Sequence, residues 1–193
     1  MTLLLLGLLL FIGMHSMRVF ADGARTAAIA RLGPLGWKGV YSVVSIAGFV
    51  LLIYGYAVAR QAPVVLWMPP VWTKHIAALL TVPAFILLAA AYVPGTRIKQ
   101  AVGHPMVLGV KTWALAHLLA NGTLHDVLLF GVFLLWGVLL YVASRRRDRL
   151  AGATYPAGPW LRDVIAVVAG LAGWAAFAFW LHAAWIGVRP FGG

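Results

Sequence analysis

Six apolar stretches divide the chain, from Leu3 to Phe20, Val40 to Ala59, His75 to Val93, Pro105 to Ala120, Val127 to Ala143 and Val164 to His182. About 20 mostly apolar residues in helical form cross about 30 Å of hydrocarbon, and most of these runs approach that length. A soluble chain of 193 residues, 63% of them hydrophobic, lacks the interior volume to hide so much apolar surface. The expectation is an all-α, polytopic membrane helical bundle of about six transmembrane helices, forming one domain over residues 1–193. Lipid is its main partner. The fourth run is short and polar, with Lys111 and His117 inside it and Asn121 just beyond.

The formal net charge is +11. In a soluble protein that would point to nucleic acid. Here the charges sit between apolar runs, so membrane topology accounts for them and nucleic acid is not expected as a partner. Arg18, Arg25, Arg31 and Lys38 follow the first run, Arg97 and Lys99 the third, and Arg145, Arg146, Arg147, Arg149 and Arg162 the fifth. Only Arg60, Lys74 and Arg189 fall on the opposite side. The positive-inside rule then places both termini outside and the basic loops in the cytoplasm. In a bacterium this is an inner-membrane protein with periplasmic termini. The first run has no Lys or Arg before it and Arg18 after it. A signal peptide has the reverse polarity, so a retained helix is expected.

Trp67, Trp72, Tyr92, Trp160 and Trp185 fall at run ends, where amphipathic rings prefer the headgroup zone. Pro63, Pro69 and Pro70 interrupt the connection between the second and third runs, and Pro94-Gly95 ends the third. Gly48 with Gly55, and Gly131 with Gly137, are candidates for close helix packing.

Ionisable groups inside a bilayer are costly, and each is a candidate functional group. His15 lies in the first run and His117 in the fourth. Neutral imidazoles from two helices can hold a haem iron, or each can hydrogen-bond a neighbouring helix. On a helix, Trp113, His117 and Asn121 share one face at intervals of four. Asn121 is then expected to fix the second ring nitrogen, and Trp113 to wall a planar cofactor. His104 and Lys111 share another face and could meet carboxylates of a ligand, or Lys111 could snorkel to the interface. The topology puts His15 in the cytoplasmic half and His117 in the outer half. His75, His125 and His182 are alternative outer partners, but they lie at run ends, where a solvated or interfacial role is expected. The acids Asp22, Asp126, Asp148 and Asp163 are mostly in connections, with Asp126 read as a helix N-terminal acid. With no cysteine, disulfides, iron–sulfur clusters and thiolate ligands are excluded.

The segments Met14-His15-Ser16, Tyr41-Ser42-Val43-Val44-Ser45, Trp67-Met68-Pro69-Pro70, Gly103-His104-Pro105-Met106 and Lys111 to Gly122 resemble the NnrU family over nearly the whole chain. That resemblance implies a polytopic inner-membrane protein associated with nitrite and nitric oxide reduction in denitrifying bacteria. A similar domain in plant zeta-carotene isomerase binds b-type haem and shifts a carotenoid double bond. Its ligating histidines align with His15 and His117, which implies haem b here. The plant motif has a Cys three residues before the second His, where this chain has Ala114.

Three functions are therefore in view. The first is a haem-binding membrane protein with a redox, sensing or isomerase-like role, whose substrate would be a hydrophobic small molecule. The second is a non-enzymatic accessory subunit of a respiratory nitrite or nitric oxide reductase system. The third is a relative of isoprenylcysteine methyltransferases, from the faint likeness of His104-Pro105 to their cofactor motif. The cysteine-free chain makes topology directly testable. Single cysteines replacing Arg146 and Trp72 should react with a membrane-impermeant thiol reagent from opposite faces of sealed vesicles. Labelling of both from one face would overturn the six-run alternation.

Overall fold

The computed structural model describes residues 1–191. Among them the chain is almost wholly helical: α1 (Thr2–Phe20), α2 (Asp22–Ala59), α3 (Val71–Tyr92), α4 (Arg97–Val102), α5 (Pro105–Ala120), α6 (Leu124–Ala151) and α7 (Leu161–Ala176). The last continues as a π-wound segment, Phe177–Ile186. All six apolar runs are helices. Five helices are long and apolar enough to cross a membrane: α1, α2, α3, α6 and α7 with its extension. At about 1.5 Å per residue, the 16-residue α5 rises about 24 Å, short of the hydrocarbon thickness. Polarity and brevity thus mark the same run.

The connection expected between the first two runs is helical instead. Ala24, Ala27, Ala28 and Ala30 are strong helix formers and carry α2 back to Asp22. The break comes at Gly33, whose φ of 70° suits a residue without Cβ, and Pro34 starts the next helical segment.

Packing groups the chain into two compact units: residues 1–68 with 122–136, and residues 69–121 with 137–193. The N-terminal part of α6 belongs to the first unit and its C-terminal part to the second. In the first unit, α1 lies against α2. Gly48 faces the Phe11 backbone, where an added Cβ would stand 2.7 Å from the amide nitrogen. Gly55 meets the Leu4 backbone and Gly7 meets Leu52 in the same way. Small residues let two backbones touch, which drives association where lipid is as apolar as Leu. In the second unit, α3 lies between α5 and α7. Gly109 approaches the Ala84 carbonyl, and Gly170 approaches Ile86. The Trp174 indole donates to Thr81 Oγ1 at 3.0 Å.

The Gly48 and Gly55 expectation therefore holds, and the Gly131 expectation does not. Nothing lies within 4 Å of a Cβ built on Gly131, whereas Gly137 abuts the Lys111 side chain. The outward surfaces of α2, including Val43, Ile46, Val50 and Ile53, are exposed and apolar, as lipid requires. The five expected interface aromatics, Trp67, Trp72, Tyr92, Trp160 and Trp185, are all exposed.

Gly48→Ala and Gly55→Ala should each destabilise the protein by about 1–3 kcal/mol, the usual cost of overpacking. Gly131→Ala should leave stability unchanged or slightly raised, because alanine favours helix. Thermal unfolding in detergent, followed by circular dichroism, separates the two classes.

Candidate cofactor site

In the first unit, His15 occupies the C-terminal half of α1, half-buried among aromatic rings. Its ring centroid lies 4.2 Å from Phe11, 5.3 Å from Tyr41 and 6.2 Å from Trp136. The Nδ1 stands 2.7 Å from the Phe11 carbonyl, one turn back. A carbonyl only accepts, so Nδ1 carries the proton, and a neutral ring then has its lone pair on Nε2. His15 also borders a crevice of about 320 Å³ with almost wholly apolar walls, shared by Phe11, Ser45, Ile46 and Phe49. The Trp136 indole nitrogen is buried and has no hydrogen-bond partner among the described residues.

In the second unit, the same local device recurs. His117 Nδ1 stands 2.9 Å from the Trp113 carbonyl, and the Trp113 ring lies 5.1 Å from the imidazole, tilted by 48°. The Trp113, His117 and Asn121 stripe is thus present, with one change of role. The Asn121 amide donates 2.9 Å to the His117 carbonyl, not to its ring. Asn121 is the residue at which α5 stops, with extended backbone, and its side chain adds a second donor to a carbonyl that its own backbone amide reaches at 3.0 Å. The nitrogen-fixing role expected of Asn121 falls to the Trp113 backbone.

His104 and Lys111 meet at Tyr141. The His104 ring lies 6.4 Å from that of Tyr141, and Lys111 Nζ lies 5.0 Å from its centroid. His104 is engaged within the chain. Its Nε2 is 2.8 Å from Asp148 Oδ2, which also accepts from Tyr155 Oη at 3.0 Å. Arg145 adds a longer contact of 3.7 Å to the same carboxylate. Sequence reading missed this cluster because its members are far apart in the chain: His104 caps α5, Asp148 lies in α6, 44 residues on, and Tyr155 in the connection after it, 51 residues on.

The acids are not loop residues. Asp22, Asp126 and Asp163 open helices, where a carboxylate complements the macrodipole, and Asp148 lies near the end of α6. Asp163 also accepts from the Ile98 amide at 3.1 Å. Of the run-end histidines, His75 is exposed as expected. His125 is not solvated: it is 4% exposed, beside an equally buried Asp126. The Thr123-x-x-Asp126 spacing, a capping-box pattern, was the signal available for it.

The family model described as NnrU protein matches residues 3–190. The chain belongs to the NnrU family. No curated protein and no solved structure matches it. For this NnrU family member, the matched span takes in all six apolar runs.

Burial, and then the hydrogen bond to the Asp148 carboxylate and its charge, raise the Tyr155 hydroxyl above its ordinary value, against a smaller pull from Arg145. A raised folded value means that this contribution to stability is fully present below about pH 10, the unfolded value, and is lost as pH rises through the folded value. In an ultraviolet titration, Asp148→Asn should make one tyrosine ionise earlier than in the wild type. Unchanged titration would show that the Tyr155 contact to Asp148 is absent in solution.

Proposed function

We propose that this chain is an integral inner-membrane protein that binds b-type haem through His15 and His117. Both termini would be periplasmic, and the role would be redox or sensing chemistry linked to denitrification. The observation that carries the reading is the matched preparation of the two imidazoles. In each, Nδ1–H is committed to the carbonyl one turn back, so Nε2 carries the lone pair that an iron would take. Ligating histidines characteristically donate their other ring proton in this way, which fixes the tautomer and raises basicity.

The surroundings of His15 suit such a group. The crevice beside it, bordered by Phe11, Ser45, Ile46 and Phe49, offers apolar walls to a flat hydrophobic body. Trp113 supplies an aromatic face next to His117. A bound haem supplies an iron centre for electron transfer or for small-ligand binding. The chain's residues orient the ring, exclude water and set its polarity.

A carotenoid-isomerase-like activity has weaker support. At the position of the plant cysteine stands Ala114, fully buried in α5, so no thiolate exchanges with His117. His104 is the residue that a methyltransferase-like motif would need, and its Nε2 is occupied by Asp148.

Protein expressed with ample haem and purified in detergent should show a Soret band with the pattern of a low-spin b-type centre. His15→Ala and His117→Ala should each lower haem retention by at least about tenfold, in line with the loss of a ligand. A folded, colourless preparation would sink the proposal, as would two variants with the wild-type spectrum.

A further inference from the structure

The N-terminus of α6 carries a buried polar group of residues that the haem reading does not use. Tyr56, near the end of α2, donates its hydroxyl proton to Asp126 Oδ1 at 2.6 Å. The Thr123 hydroxyl donates to Asp126 Oδ2. The connection after α2 is tied to the same place, with the Leu66 amide donating to the Gly122 carbonyl at 2.8 Å and the Leu124 amide to Val64 at 2.8 Å. To this point the arrangement is a helix cap that satisfies a carboxylate.

His125 goes beyond capping. Its Nε2 lies 3.0 Å from Thr123 Oγ1. The single Thr123 proton is already given to Asp126, so the hydroxyl accepts here and the imidazole donates from Nε2. The neutral ring therefore has its lone pair on Nδ1. That atom is fully buried and has no hydrogen-bond partner among the described residues, in a residue only 4% exposed. A buried acceptor without a donor is costly, and natural structures seldom keep one without use. The donor chain runs one way, from His125 through Thr123 to the Asp126 carboxylate. Such a chain orients the ring, and the Asp126 carboxylate favours positive charge on it against the opposing cost of burial.

We propose that His125 Nδ1 is a proton-accepting site at the α6 N-terminus, loaded by water. In the loading step an O–H bond of a hydronium ion breaks and an N–H bond forms on Nδ1. The electron pair stays on oxygen, which leaves as water. The positive charge then lies on an imidazolium whose Nε2 is 3.7 Å from Asp126 Oδ1. The charged and titratable groups facing it are Asp126 on α6, Tyr56 on α2 and Arg60 after α2. Arg60 opposes loading, its guanidinium carbon standing 6.0 Å from the Tyr56 ring centroid. Tyr56, with its proton committed to Asp126, holds that carboxylate in place. The site does not depend on haem, so its test runs on protein with or without pigment.

Solid-state nitrogen NMR of histidine-labelled protein in phosphatidylcholine bilayers reads the site directly. His125→Gln identifies the resonance, and Thr123→Val with Thr123→Ser provides a second route if that variant fails to fold. At about pH 8 the ring should be the Nε2–H tautomer. On acidification to about pH 5 it should convert reversibly to imidazolium with helix content unchanged, in the range where His switches. Thr123→Val should lower the ratio of Nε2–H to Nδ1–H tautomers by about fivefold, the ratio one net hydrogen bond supports, and Thr123→Ser should restore it. An Nδ1–H tautomer at high pH overturns the proposal. So does a ring that stays neutral until helical signal is lost.

Discussion

Hydrocarbon contains no hydrogen-bond donor or acceptor, so each polar group placed in a span must find its partner within the protein. The spans of this chain meet that demand mainly by local means. Thr112 bonds back to the Leu108 carbonyl and Thr81 to that of Ala78. His15 and His117 do the same with Phe11 and Trp113. A side chain that bonds one turn back needs no second helix to be satisfied. For an imidazole this has a further consequence, because it settles the tautomer before any tertiary contact forms. The chemistry of the proposed haem site thus begins in the helix backbone.

Where polar residues gather at helix ends, the solution is long-range. Asp148 collects His104 and Tyr155, and Asp126 collects Tyr56 and Thr123. Both carboxylates are the focus of several neutral or basic donors. The two clusters differ in one respect that matters for function. Around Asp148 each ring and hydroxyl has its place in the structure, so the cluster reads as a tie between α5, α6 and the connection after it. Around Asp126 one imidazole nitrogen, His125 Nδ1, is left over as a buried acceptor without a donor among the described residues.

Apolar helices in lipid gain little from hiding apolar surface against one another, so close backbone approach has to supply the packing. Gly7, Gly48 and Gly55 let α1 and α2 approach each other, and Gly109 and Gly170 do so for the neighbours of α3. Sequence spacing pointed to Gly48 and Gly55 and equally to Gly131, which faces open space. Glycine spacing alone carries no information on which face meets a partner, because lipid and helix are alike in polarity.

The sequence by itself determined the membrane class, the six helical runs and the stripe of Trp113, His117 and Asn121. These follow from hydrophobic length and the 3.6-residue period, both local properties of the chain. It also marked α5 as the odd helix, since charge and brevity are visible without coordinates. Only the tertiary structure decided which glycines touch, that Asn121 serves a carbonyl in place of a ring, that Asp148 takes His104, and that His125 is buried. Each of those depends on which side chains from distant segments arrive at one point. Linear spacing does not encode that arrival, because a carboxylate accepts from any donor that packing brings within about 3 Å.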